Sequence, residues 1–410
     1  MALELNQDSL ARVIRPKDLK TAGLIDTASN RAFLSQQAYG VVRSDFSGLS
    51  IRQFSMKDKV AYSILSVPHS IVLNQLNQVI RTSTGVKTSD RDTIVRRLIT
   101  ILTEGVPHRL YKFDIKEFYD SIDPLLLADE ILIDNRIPRA SLLALAKYLD
   151  ELQTRRIRGL PRGIPLSATL AEYALKRFDN FISKLPQVYF YARYVDDIVI
   201  VTSRLEEPRS FTRTVRRALP FKLDFNTTKS RLVDIPVQTR SNGHGVVGDL
   251  DYLGYNISVH ESARVRGRLA RTVDVSIATK KVRRIKTRIC NSVVDFLRAP
   301  DIWTLTRRLQ LLTGNYNVRE YNTGQLRNVG LYCNYRHITR TDCLRELDSF
   351  LRAILVGDRS HLAKRFATSV ARDQRQSFLR FSFLSSFNDR TFYNFSPQEL
   401  LALKECWRDG

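Results

Sequence analysis

Two runs of strand-forming residues, VYFYARY (188–194) and IVIVTS (198–203), are separated only by Val195 and an adjacent pair of aspartates, Asp196 and Asp197. Their Val, Ile and Tyr content predicts a β-hairpin with the aspartates at its tip. Asp favours turns, so a solvated turn is the ordinary explanation, yet a tight turn usually also carries Gly or Asn, and neither is present. A second acidic strand lies upstream in YKFDIKEFYDSID (111–123), where Asp114 takes a strand-like position ahead of Phe118 and Tyr119. Such an Asp costs stability unless it is paired or binds a cation. Laid side by side, the two segments would bring three carboxylates to one sheet edge, where their repulsion calls for a divalent cation. Hard oxygen donors of this kind suit Mg²⁺.

The balance of 65 Lys and Arg against 42 Asp and Glu gives a net charge of +23, which points to a polyanionic partner, nucleic acid first. The basic residues recur in clusters such as KKVRRIKTR (280–288). No apolar run approaches the roughly 18 residues of a membrane span, so no membrane partner is expected. The N-terminal residues lack the basic start and apolar core of a signal peptide. The four cysteines form no C-x-x-C pair, and the six histidines form no H-E-x-x-H motif. That excludes a recognisable zinc ribbon and predicts a reducing, cytoplasmic setting.

Periodicity predicts amphipathic helices at SIVLNQLNQVI (70–80) and RDTIVRRLITIL (91–102) within a mixed helical and irregular first 110 residues. From about 111 to 265, short strands alternate with helices, which predicts an α+β unit built around a sheet. Beyond 270 the texture is helical and basic. In KVRRIKTRICNSVVDFL, Val282, Ile285, Ile289, Val293 and Phe296 share a face, while Arg283, Arg284, Lys286 and Arg288 decorate others. LRELDSFLRAIL (344–355) and PQELLALKECW (397–407) read as further helices. Between the acidic strands, RGLPRGIPLSATLAEYALKRFD (158–179) offers a loop punctuated by Gly159, Pro161, Gly163 and Pro165, then a helix for which Ser167 is a natural N-cap. Downstream, DFNTTKSRLV (224–233) offers Lys229, and LDYLGYNIS (250–258) a short strand with a Leu253-Gly254 turn.

In this order the segments resemble the five palm motifs of the reverse transcriptases: YKFDIKEFYDSI, RGIPLSATLA, YVDD, NTTKS and YLGY. The resemblance covers about 111–258. It implies a right-hand polymerase fold, α+β, with fingers (1–110), a palm with an antiparallel sheet (111–265, a helical segment inserted at about 124–158), a basic helical thumb (266–340) and a helical C-terminal extension (341–410). It makes Asp114, Asp196 and Asp197 the catalytic, metal-binding carboxylates, with the Ile115 backbone as a further ligand. Two Mg²⁺ ions, for which Mn²⁺ substitutes, are the implied cofactors.

Tyr119 falls where the family places an aromatic gate against the sugar 2′-hydroxyl, which implies a preference for deoxynucleotides. Arg162 and Gly163 would border the nucleotide, and Lys229 matches the lysine at the triphosphate end. Leu253 and Gly254 match the turn that contacts the primer. Arg162 departs from the Gln that many relatives carry. The fingers residues that clasp the triphosphate are not singled out by spacing among Arg52, Lys57, Lys59, Arg81, Lys87, Arg91, Arg96 and Arg97. Lys280, Lys281, Arg283, Arg284, Lys286 and Arg288 would follow the backbone phosphates of template and product.

RDTIVRRL, RGIPLSATLAEYAL and the helical tail look most like the bacterial defence-associated and retron-like reverse transcriptases. LLALKECW and LTGNYN are similar to the type-3 defence-associated system. That implies an antiviral role, a structured non-coding RNA template, a DNA product made from deoxynucleoside triphosphates, and a companion reverse transcriptase or an oligomer. Two alternatives stand beside it. One is a template-independent or protein-primed DNA polymerase of the same fold, which the 16 tyrosines leave open. The other is a non-catalytic RNA-binding scaffold, for which loss of the three aspartates would be expected. No terminal Cys/His nuclease of an intron maturase follows the thumb, and no further acidic cluster supports ribonuclease H activity.

Overall fold

The computed structural model describes residues 4–56, 59–237, 245–319 and 326–407. Contacts divide the chain into two compact units, Met1–Ile94 with Pro107–Ile235, and Val95–Val106 with Pro236–Gly410. Both mix helices with antiparallel sheet. Strands at 268–277, 315–319 and 326–330 fall where the sequence predicts a helical texture, because they pair with a strand ahead of that helical stretch or with each other. Among the described residues, no helix is long and apolar enough to cross a membrane.

The first unit is built around a four-stranded antiparallel sheet of β3 (His108–Asp114), β4 (Val188–Tyr194), β5 (Asp197–Thr202) and β6 (Arg231–Ile235), in the order β4-β5-β3-β6. Tyr111 and Phe113, two residues apart, share one face of β3, and both rings lie in the main core. The Pro165–Ser183 helix joins the same core through Leu166, Leu170, Leu175, Phe178 and Ile182, a helical repeat with one wide apolar face. The predicted helices at 70–80 and 91–102 are present as Val67–Thr84 and Arg91–Leu102.

A hairpin of β1 (Ile51–Met56) and β2 (Lys59–Ile64) was not foreseen. Residues 52–55 are exposed on both faces, so no period-2 alternation marks β1 as a strand. Lys57 lies outside the described residues.

Ser167 does not cap the helix that follows the glycine-punctuated loop. The helix starts at Pro165, with Ile164 at the cap position. Proline's fixed φ suits the first helical residue, and this leaves Ser167 in the first turn, where it is buried. Its hydroxyl has no hydrogen-bond partner among the described residues.

The second unit contains the sheet β7 (Val246–Tyr252), β8 (Tyr255–Val265) and β9 (Arg268–Ile277), and a hairpin of β10 (Asn315–Arg319) and β11 (Leu326–Gly330). A helical core gathers Val282, Ile289, Val293 and Phe296 of the Thr279–Arg298 helix with Leu305 and Leu309 of Ile302–Thr313. Leu344, Leu347 and Leu351 of Asp342–Leu355 join the same core, as does Trp407. The predicted 397–407 helix ends at Leu403, and a tight turn carries Trp407 inward.

Arg271 on β9 is buried, and its guanidinium donates to the carbonyls of Glu104, Gly105, Val106, Pro236 and His260. Burial lowers its pKa. Carbonyl dipoles take the place of a carboxylate there, and they tie residues 104–106 to the sheet of this unit.

Candidate active site

Antiparallel pairing of β3 with β5 sets Asp114 directly opposite Asp197. Cross-strand partners stand about 4.5–5.5 Å apart at Cβ, so two carboxylates are brought together by register alone. β4 and β5 close through the pair Tyr194 and Asp197, which leaves Val195 and Asp196 as the turn. The backbone N–H of Ile115 donates to the Asp196 carbonyl at 3.0 Å, and that of Asn226 to the Asp114 carbonyl at 2.7 Å. Phe225 also bridges to Ile115, and its ring stacks on Phe113 with centroids 4.4 Å apart. The end of β3 is therefore fixed from both sides.

The electrostatics are those of an acidic site short of positive charge. Asp114 is buried. Burial pushes the Asp196 carboxyl above its usual range, with Asp114 adding to the shift while Lys59 and Lys229 oppose it. Asp197 is pushed up to about 6, by burial first and then by the charge of Asp196. The Lys229 ammonium stands against both carboxylate oxygens of Asp114, at 3.1 and 3.2 Å. Lys59 on β2 acts on Asp196, which distinguishes it among the described basic candidates of the first 110 residues.

Among the described residues, no group of three or more His, Cys, Asp or Glu side chains is gathered as a metal-binding cluster. The donor chemistry nonetheless fits a hard divalent cation. Two half-buried carboxylates are driven towards protonation by burial and mutual repulsion, and an ammonium already stands as a surrogate cation on the third.

The glycine-punctuated loop packs against the segment that follows Asp114. Gly159 has φ +66°, and a Cβ there would lie 2.2 Å from the Tyr119 carbonyl oxygen. That close approach lets Leu160 N–H bond the same carbonyl at 2.8 Å. Gly163 has φ +94° and is blocked by the Tyr62 carbonyl at 2.6 Å, while Tyr62 N–H donates to the Arg162 carbonyl at 2.7 Å. β2 and the loop are thereby joined. The Arg162 guanidinium lies 5.7 Å from the Tyr119 ring centre and bonds Asp120 at 2.7 Å. Its Nε is buried without a hydrogen-bond partner among the described residues. Burial raises the Tyr119 pKa, reinforced by the charges of Glu172 and Asp196. The hydroxyl therefore stays protonated.

One residue that sequence reasoning passed over holds the turn. Arg193 is buried, donates to Glu172 and Asp179 of the Pro165–Ser183 helix at 2.7–2.9 Å, and donates through Nη1 to the Val195 carbonyl at 3.0 Å. The Tyr191 hydroxyl donates to Asp179 at 2.5 Å. Burial works against the Arg193 charge, but bonding and attraction to Asp179 and Glu172 prevail and raise its pKa. Val195 itself has φ +60°. This is an unfavourable conformation for a β-branched residue, costing on the order of 1–3 kcal/mol, and it persists only where surrounding bonds hold it. A buried Arg beside an acidic turn was the available signal, but its partners lie in another element.

The primer-turn and basic-helix candidates belong to the second unit. Leu253 and Gly254 form the β7–β8 turn, both at positive φ. On the Thr279–Arg298 helix, Lys280 and Arg283 are exposed, while Lys281 and Arg284 are half-buried. Lys286 pairs with Glu346 at 2.6 Å and lies over the Phe350 ring. Arg288 is half-buried over Trp407. Four of the six basic side chains are thus partly built into the packing, and Lys286 is already neutralised.

Residues 67–257 match the family model described as reverse transcriptase (RNA-dependent DNA polymerase). That segment is therefore similar to the reverse transcriptase domain, that of an RNA-dependent DNA polymerase. No curated protein matches. Among solved structures, apo telomerase from Candida tropicalis, truncated from its C-terminal domain, is similar over 46% of this chain at 14% identity and a TM-score of 0.31. The chain spans 42% of that telomerase chain.

Proposed function

We propose that this protein copies RNA into DNA by phosphoryl transfer at Asp114, Asp196 and Asp197, in a right-hand architecture of fingers, palm, thumb and helical extension. The observation that carries the reading is the β3–β5 register, which sets Asp114 against Asp197 beside the Asp196 turn, within the span of the reverse transcriptase match. The three carboxylates would hold Mg²⁺, two ions in the active state, with the Ile115 backbone as a further ligand. Bound there, the metal supplies Lewis-acid activation of the attacking 3′-hydroxyl and charge neutralisation at the triphosphate.

The chain's own groups do the rest. Asp197 and Asp114 orient the reacting end through the fixed register. Lys59 and Lys229 offer ammonium groups to triphosphate oxygens, and Arg162 offers its unpartnered Nε to the nucleotide. The Tyr119 ring, buttressed by Phe118 with centroids 5.3 Å apart, stands where a ribose 2′-hydroxyl would clash. Leu253 and Gly254 contact the primer, and the basic helix from Lys280 follows backbone phosphates. The wording of the motifs supports a role in bacterial antiviral defence, in the cytoplasm, with a structured non-coding RNA as template and a companion reverse transcriptase or a second copy as partner.

Purified protein with its co-purifying RNA, Mg²⁺ and labelled deoxynucleotides tests the reading. Mg²⁺-dependent DNA complementary to that RNA is expected, and its disappearance in the Asp196→Asn, Asp197→Asn double variant. DNA without complementarity would replace the templated reading with untemplated synthesis, and DNA attached to the chain would identify protein priming. No incorporation on any template, with RNA binding unchanged in the variant, would leave a scaffold.

Replacing Tyr119 with alanine is expected to let ribonucleotides in, with kcat/KM for a ribonucleotide relative to its deoxy counterpart rising at least about tenfold, a change of roughly 1.4 kcal/mol in discrimination. Single-nucleotide incorporation with each triphosphate reads that ratio. An unchanged ratio removes Tyr119 from sugar selection.

A further inference from the structure

Arg284 and Arg288 stand four residues apart on the Thr279–Arg298 helix, which places them on one face. The Arg288 guanidinium lies 5.3 Å from the centre of the Trp407 ring, and its Nε is buried without a hydrogen-bond partner among the described residues. Lys404 is half-buried as well, its ammonium 5.4 Å from the centre of the Tyr316 ring. The three cations repel one another through Arg288. Burial lowers the Arg288 pKa and Arg284 lowers it further, while burial and then the Arg288 charge lower that of Lys404. The other ionisable groups acting on Arg288 are the hydroxyls of Tyr316 and Tyr335, which carry no charge at neutral pH.

Other arginines of the same unit that are buried or half-buried have partners, carbonyls in the case of Arg271. Arg307 is paired with Glu399 and Arg308 with Asp295, both at 2.5 Å. Among the described residues, Arg284, Arg288 and Lys404 make no such pair with a carboxylate. A cluster of like charges, two of them partly desolvated, is unfavourable unless an anion joins it. Aromatic walls that keep water back strengthen the attraction for that anion.

We propose that Arg284, Arg288 and Lys404, walled by Trp407 and Tyr316, form an oxyanion site for a phosphate group. Two sources carry that chemistry, a phosphate of the nucleic-acid backbone and a free phosphate or nucleotide. The first source deepens the assignment of this basic helix to nucleic acid and rests on it; the second does not. In the backbone case, residues 397–407 would grip the bound strand together with the Thr279–Arg298 helix.

The test uses the full chain and no polymerase readout, so its failure is distinct from failure of the polymerase reading. Thermal unfolding is followed in sodium phosphate and in sodium chloride of equal ionic strength. The wild type is expected to melt higher in phosphate by about 3 °C or more. The Arg284→Gln, Lys404→Met variant, which keeps Arg288 over Trp407, should lose that difference while melting no lower than wild type in chloride, because repulsion has been relieved. Binding of a hairpin RNA is then measured against salt. A slope of log K against log salt that is shallower by about one to two in the variant identifies backbone phosphate as the source. An unchanged slope with loss of the phosphate effect identifies the free anion. No phosphate-specific rise in the wild type, or a variant that keeps the rise and melts lower in chloride, overturns the site.

Discussion

Replacing Asp197 with asparagine is expected to slow DNA synthesis by about a thousandfold or more and, at neutral pH, to stabilise the metal-free protein. The two effects have one cause. Asp197 faces Asp114 across the β3–β5 register and lies beside Asp196, so its charge is opposed by burial and by its neighbours. The amide removes that charge without changing shape, and with it the anionic donor that the proposed mechanism requires, on the order of 4 kcal/mol for a thousandfold.

The pH dependence has a definite sign. An unfolded aspartate titrates near 4, whereas the folded Asp197 titrates at about 6. Between those values the folded protein holds the extra proton. The stability this group contributes is complete below about pH 4 and is lost as pH rises through 6. The asparagine variant has no such loss. Its advantage in melting temperature over wild type should be near zero at pH 4 and reach a few degrees at pH 7, for a gain on the order of 1 kcal/mol. Melting curves in EDTA at the two pH values read it directly. A variant that is less stable at pH 7 would show that Asp197 makes a stabilising bond that outweighs the repulsion.

The second large effect belongs to Arg193. Methionine in its place leaves Glu172 and Asp179 without their buried counter-charge and releases the Val195 carbonyl. Removing one partner of such a pair typically costs about 3–5 kcal/mol, so the melting temperature should fall by on the order of 10 °C. The turn that carries Asp196 would lose the bond that holds Val195 at positive φ, and incorporation should fall with it. Arg193→Lys separates the two roles. A lysine keeps the charge but cannot reach two carboxylates and a carbonyl in one fork. Stability should largely return while kcat stays at least about tenfold down, with KM for deoxynucleotide little changed. Adding Val195→Gly, which makes the turn conformation unstrained, should recover part of that rate. Recovery of the full rate by lysine alone would reduce Arg193 to a packing role.

The sequence carried the acidic site well because its determinants are local. Strand propensity around Asp114 and around the 196–197 pair sets the register, and register alone brings Asp114 and Asp197 together. The Leu253-Gly254 turn and the apolar face of the basic helix were legible for the same reason. What escaped depends on partners distant in the chain. Arg193 reads as an exposed strand residue until Glu172 and Asp179 arrive from a helix. The hairpin escaped because β1 is exposed on both faces and β2 is exposed at Lys59 and Val60 and buried at Ala61 only, so neither strand displays a period-2 alternation. Lys59 is marked by no local pattern, and only the β1–β2 hairpin brings its charge to act on Asp196. Ser167 was misplaced because two residues compete to open one helix, and Pro165 does so first.

The carbonyls clasped by Arg271 have a consequence for synthesis. Residues 95–106 leave the ribosome early, yet the arginine that binds their backbone lies on β9 and the rest of their unit begins only at Pro236. While the intervening residues complete the first unit's sheet, this short segment waits with its partners still unmade. Vectorial folding is thus interrupted, and the second unit can close only by a long-range return to an earlier piece of chain. Closures of that kind are slow, and their unfinished edges invite aggregation. Slowing translation after residue 236 should leave the first unit's folding untouched and expose the delay in the second.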